Sequence, residues 1–183
     1  MVLSSINVSN TIFNSSSVIC HHTQTYGGAM FIESSNFFFS YTTFNNCLLE
    51  HTSINNGNVL GGVLYIVTSE GSVSNTNFIS NKIIGNISSK TGGGAICFEK
   101  SNCTIDKCIF QHNSIISSND QSIIAGGSIY ATNSNININN NEFYNNSIIE
   151  KLKNIKVYGG CIYFSETKGN LSECSFCLNS IEI

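Results

Sequence analysis

Five times along this chain a glycine pair is followed, after an interval that never varies, by a phenylalanine. The second glycines are Gly28, Gly62, Gly94, Gly127 and Gly160. The phenylalanines Phe44, Phe78, Phe110, Phe143 and Phe176 each lie 16 residues further on. A fixed interval recurring every 32–34 residues describes an array of like units, in which each unit presents the same surface to its neighbour. The 183 residues are therefore read as one repeat domain, 1–183, rather than as two domains.

Aligned on the second glycine, the units show a strand. Two residues on stand Met30, Leu64, Ile96, Ile129 and Ile162, and two further on Ile32, Ile66, Phe98, Ala131 and Phe164. Apolar residues at alternate positions mark a strand with one face buried. More inward columns follow at eleven residues (Phe39, Val73, Ile105, Ile138, Leu171), at the phenylalanine, and at twenty-one (Leu49, Ile83, Ile115, Ile148, Ile181). Clusters such as Ser34-Ser35-Asn36 and Lys100-Ser101-Asn102 separate the first two strands, as turn residues do. Each unit reads as three short strands with two tight bends. Helical repeats share this period, but alternation, β-branching and abundant Asn, Ser and Gly oppose helices.

The predicted fold is all-β, a single-stranded right-handed parallel β-helix of about five and a half rungs with uncapped ends. Its inward columns stack at roughly 4.8 Å per rung. The frame continues backwards through Val8, Phe13 and Val18, so the chain is read as a piece of a longer array. Asn81, Asn113, Asn146 and Asn179 follow their phenylalanines by three, where the chain must bend. Asparagine tolerates left-handed backbone and its amides can form a ladder between rungs. The glycine pairs serve a sharp turn or a close backbone approach. Length variation is confined to the return towards the glycines, with 55–58 and 117–120 expected as surface loops.

These residues resemble the polymorphic membrane protein repeat family, found in chlamydial autotransporters and related surface proteins of some protists, whose repeat pair is GGA[I/L/V] with FxxN. The first motif reads GGAM (27–30), GGVL (61–64), GGAI (93–96), GGSI (126–129) and GGCI (159–162). The second reads FISN (78–81), FQHN (110–113), FYNN (143–146) and FCLN (176–179). Phe44 and Phe13 depart, with Cys47 and Ser16 in place of asparagine. The resemblance implies a β-helical region displayed on the cell surface and used in adhesion, with a host-surface protein or glycan as partner.

Composition limits the alternatives. Charged residues make up 10%, the net charge is −3 and there is no arginine, so nucleic acid is not an expected partner. No apolar run approaches the length of a membrane span, and 1–6 lacks the pattern of a signal peptide. No enzymatic activity is expected. Polysaccharide-active β-helices need clustered carboxylates, whereas the best pair here, Glu33 and Glu99, lies two rungs apart with Val67 between. The eight cysteines and four histidines show no ligand spacing, so neither a metal nor another cofactor is expected. Cys174-x-x-Cys177 places its thiols on opposite faces of a strand. Cys108 and Cys174 share a column, but Asn141 lies between them.

The candidate binding surface is the column opposite the first inward one: Phe31, Tyr65, Tyr130 and Tyr163. It is expected to point outward as aromatic relief, the residue type most often found as a binding anchor. Unpaired strand edges at mid-rung ends also predict end-to-end self-association.

Overall fold

The computed structural model describes residues 4–21, 24–52, 57–85, 90–118, 123–150 and 156–183. Among them there is no helix. The chain winds through five parallel sheets, each built from one strand of every turn. Sheet I follows the glycine pair (Met30–Glu33, Leu64–Val67, Ile96–Glu99, Ile129–Thr132, Ile162–Ser165). Sheet II comprises Ser4–Ser9, Ser35–Ser40, Glu70–Ser74, Asn102–Asp106, Asn135–Asn139 and Leu171–Ser172. Sheet III carries the phenylalanines (Ile12–Asn14, Thr43–Asn45, Asn77–Ile79, Ile109–Gln111, Glu142–Tyr144, Ser175–Cys177). Sheet IV comprises Ser17–Cys20, Leu48–His51, Lys82–Gly85, Ser114–Ser117, Ser147–Glu150 and Ser180–Glu182. Sheet V leads back to the glycines (Thr25–Tyr26, Asn58–Leu60, Lys90–Gly92, Ile123–Ala125, Lys156–Tyr158).

The parallel solenoid is as the sequence predicts, but each turn contains five strands and not three. What reads as one third strand is broken between sheets III and IV, and sheet V adds another. Strands of three residues are too short to leave a periodic signature. The pairing register is the sequence alignment itself: Leu64 lies between Met30 and Ile96, and Phe110 between Phe78 and Phe143. Of the segments expected as loops, Asn58 and Ser117 are strand residues, and 55–56 and 119–120 lie outside the described residues.

Single left-handed residues make the corners. Between sheets I and II these are Ser34, Thr68, Lys100, Asn133 and Glu166; between II and III, Asn10, Tyr41, Asn75, Lys107, Asn140 and Glu173. Between III and IV they are Ser15, Asn46, Ser80, His112, Asn145 and Leu178, one residue ahead of the asparagine column. The expectation that the column asparagines themselves adopt the left-handed turn is corrected accordingly: four different residue types serve there. Among the corners formed by described residues, only the one before sheet I recurs with glycine in every turn. A Cβ on Gly93 (φ 69°) would sit 2.2 Å from the Ile96 carbonyl oxygen, so glycine is required by space as well as by φ.

The second glycine answers a different need. A Cβ on Gly94 would lie 2.1 Å from the Gly127 oxygen of the next turn and 3.3 Å from the Ser114 nitrogen, where sheet IV begins. The cross-section is pinched here. The largest apolar cluster lies inside sheets I, II and III, and a smaller one, including Leu49, Val59, Ile83 and Ile124, lies between sheets IV and V.

Candidate functional site

Three ladders fill or line the interior. The phenylalanine column stacks without a gap from Phe13 to Phe176, with centroids 4.7–5.2 Å apart and rings within 15° of parallel. The asparagine column is fully engaged: Asn81, Asn113 and Asn146 each donate an amide hydrogen to the Oδ1 of the next asparagine at 2.9–3.0 Å. Each also donates to a phenylalanine carbonyl one turn back, at 2.8–3.1 Å. All three are wholly buried. Buried amides with every hydrogen placed stabilise the corner instead of costing it free energy.

The third ladder escaped the sequence reading. Ser35, Ser69, Ser101, Ser134 and Thr167 stand seven residues after each second glycine. Their hydroxyls bond back to the carbonyl two residues earlier, at 2.8–3.0 Å. The hydroxyls of Ser69, Ser101 and Ser134 also accept the backbone N–H one turn back, at 3.1–3.2 Å. A hydroxyl at the same offset in all five units was the available signal, lost among the many serines that mark ordinary turns.

The aromatic column lies off the lumen, but it is not exposed relief. Tyr65 and Tyr130 are only 5% and 4% exposed, and Cys97 between them is fully buried; Phe31, at the first rung, is 48% exposed. Sheets V and I meet at a concave corner, and the column packs there against Leu60 and Ala125. Tyr65 stacks on Tyr26 at 4.4 Å, and Tyr163 stacks on both Tyr130 and Tyr158. Where both walls are small, at Gly92 and Cys97, the Tyr130 ring fills the space; a Cβ on Gly92 would meet that ring at 2.8 Å. The Lys90 ammonium lies 4.4 Å from the Tyr130 ring centre. An alternating column cannot reveal that another strand folds over its outer face, which is why these tyrosines read as exposed.

Burial sets the titration of this corner. It raises the Tyr65 phenol well above its ordinary value, and the 2.6 Å hydrogen bond donated to the Glu99 carboxylate raises it further. Burial also raises Tyr130, against the opposing pull of Lys90. Cys97 is pushed up by burial in the same way. These groups remain protonated, which suits packing and hydrogen bonding and not acid–base work near neutrality.

Elsewhere the carboxylates stay apart. Glu33 and Glu99 flank Val67 on one column of sheet I, and Glu99 is engaged by Tyr65. All eight cysteines are free thiols; Cys177 is exposed, whereas Cys47, Cys97, Cys103, Cys108 and Cys161 are buried. Burial pushes Cys108 and Cys161 up to about 12. Among the described residues no group of three or more His, Cys, Asp or Glu is placed to hold a metal ion, and no helix is long and apolar enough to cross a membrane. Comparison with protein-family models, with curated proteins and with solved structures finds no match, so the functional reading rests on the residues and geometry above.

Proposed function

We propose that the chain is a non-enzymatic segment of a cell-surface β-helix protein, serving adhesion or structural display. The observation that supports this most is where the side chains capable of chemistry are spent. The amides of the Asn81–Asn179 column, the hydroxyls of the serine column and the tyrosine rings are consumed in rung-to-rung ladders and in the packed corner between sheets V and I. What remains outward is a set of long, flat, weakly charged faces, which suits contact with an extended partner. The GGA[I/L/V] and FxxN repeats carry the surface assignment by resemblance. The alternative of a polysaccharide-active β-helix draws less support, because Glu33 and Glu99 do not face one another across a single bond to be cleaved.

The test is binding of the fluorescently labelled chain to cultured animal cells and to protein-free vesicles. Saturable binding to cells, competed by unlabelled chain and absent from vesicles, is the expected result. A chain that binds neither, yet shortens polygalacturonate in a viscosity assay, overturns the reading in favour of the enzymatic one.

A further inference from the structure

On the outer face of sheet II, Asn137 and Asn139 accept hydrogen bonds from the backbone N–H of Asn170 and the hydroxyl of Ser172, but the amides of one column are unused. Asn36, Glu70, Asn102 and Asn135 are register partners on successive turns and form one outward column. Among the described residues their side chains make no hydrogen bond. A second outward column, Phe38, Ser72, Thr104 and Asn137, runs beside it two residues along each strand, about 6.6 Å away at strand spacing. Between them the floor is backbone, since Phe37, Cys103 and Ile136 turn their side chains into the lumen. Three depressions of about 180, 180 and 370 Å³ adjoin along this trough, and all three include Glu70.

The geometry points to this trough as a binding site for a neutral glycan chain lying along the solenoid axis, an inference that rests on the surface-binding reading above. Each asparagine amide offers two donors and an acceptor, the combination that brackets neighbouring sugar hydroxyls, and the column repeats it at three of four rungs, with the acceptor-only Glu70 at the other. Phe38, 46% exposed at one end, supplies an apolar ring face for the carbon-bound hydrogens of a pyranose. The chemistry argues against other occupants. One carboxylate, Glu70, is too little for a cation, and two lysines, Lys100 at its border and Lys168 beside Asn135 at its end, are too few for a polyanion. A protein partner wants a desolvated apolar centre, and Phe38 is the only large apolar side chain lining the trough.

Calorimetric titration with neutral hexasaccharides of glucose, mannose and N-acetylglucosamine, and with polygalacturonate as the anionic comparator, tests the inference. The expected result is millimolar or tighter binding of at least one neutral hexasaccharide, with polygalacturonate binding no better. N102A/N135A should weaken that binding by about tenfold, and F38A should weaken it as well. Gln111→Ala on sheet III should leave it unchanged, and the melting temperature of N102A/N135A should stay at the wild-type value, because neither amide bonds to the protein. Failure of every neutral probe to bind, binding of polygalacturonate alone, or equal binding by N102A/N135A and wild type overturns the inference. Cell binding separates it from the broader reading. Cells bound equally by wild type and N102A/N135A remove the trough and leave adhesion; a hexasaccharide bound without any cell binding removes adhesion and leaves the trough.

Discussion

The Oδ1 of Asn146 receives both the backbone N–H and the side-chain amide of Asn113, each at 3.0 Å, one turn away. The other amide hydrogen of Asn113 goes to the Phe78 carbonyl at 2.9 Å, so this residue ties three consecutive turns together. Asn113→Ala would strand the Phe78 carbonyl and the Asn81 N–H groups in a site sealed from water. A loss of roughly 3–5 kcal/mol by chemical denaturation is expected. Asn113→Asp should be as damaging at neutral pH, because it buries a carboxylate against two acceptors. Burial raises that carboxyl in the folded state above its unfolded value of about 3.9, so stability should recover on acidification through the folded value and fall again as pH rises. An aspartate variant as stable as wild type at pH 7 would show that the amide hydrogens matter little.

Phe110→Ala removes one of the two middle rings of the stack and should cost roughly 3–5 kcal/mol. Tyr130→Ala would be nearly silent if the ring stood in solvent. Packed over Gly92 and against Tyr163, it should instead cost on the order of 3 kcal/mol. A Tyr130→Ala melting temperature equal to wild type would return the column to the surface.

Two of the corners can be told apart by substitution. Gly93→Asn places a Cβ against the Ile96 carbonyl and should destabilise by upwards of about 3 kcal/mol, despite the tolerance of asparagine for left-handed backbone. The same residue placed at a neighbouring corner, Lys100→Asn, should change stability by less than about 0.5 kcal/mol. Similar losses in both variants would mean that glycine is chosen for φ alone.

Alkaline stability should follow the buried thiols. An unfolded thiol ionises at about 8.5, whereas burial holds Cys108 and Cys161 protonated up to about 12. The folded state then binds more protons across that window, so stability is fully present below about pH 8.5 and is lost as pH rises towards 12. Melting temperatures taken from pH 8 to 11 should fall, and more shallowly in Cys108→Ala. A variant whose melting temperature falls as steeply as that of wild type would show that Cys108 contributes nothing. At pH 8, a colorimetric thiol reagent should modify exposed Cys177 quickly and Cys103 or Cys97 only on unfolding.

The columns that run along the strands of sheets I to IV were legible because a side chain points in or out at every second residue, and the register copies the alignment. Phe39, Phe110 and Leu49 are therefore where the repeat places them, and the Asn113 ladder follows from stacking identical amides. Sheet V was not legible. Its strands are two or three residues long, and the path into them varies in length from unit to unit. The burial of Tyr65 and Tyr130 follows from sheet V alone, so that error had one source. The unused amides of Asn102 and Asn135 were equally hidden: in a chain this rich in asparagine, only the backbone path distinguishes a saturated amide from a free one.

Because every strand pairs only with its equivalents one turn above and below, the bonds of all the ladders run along one direction. That makes the molecule mechanically anisotropic. A pull along the axis loads all the bonds between two turns at once, while a pull on a free chain end lifts one corner at a time, breaking a hydroxyl rung, then a phenylalanine contact, then an asparagine rung. The same structure should therefore behave as a stiff rod when anchored through its faces and as a zip when anchored through its termini.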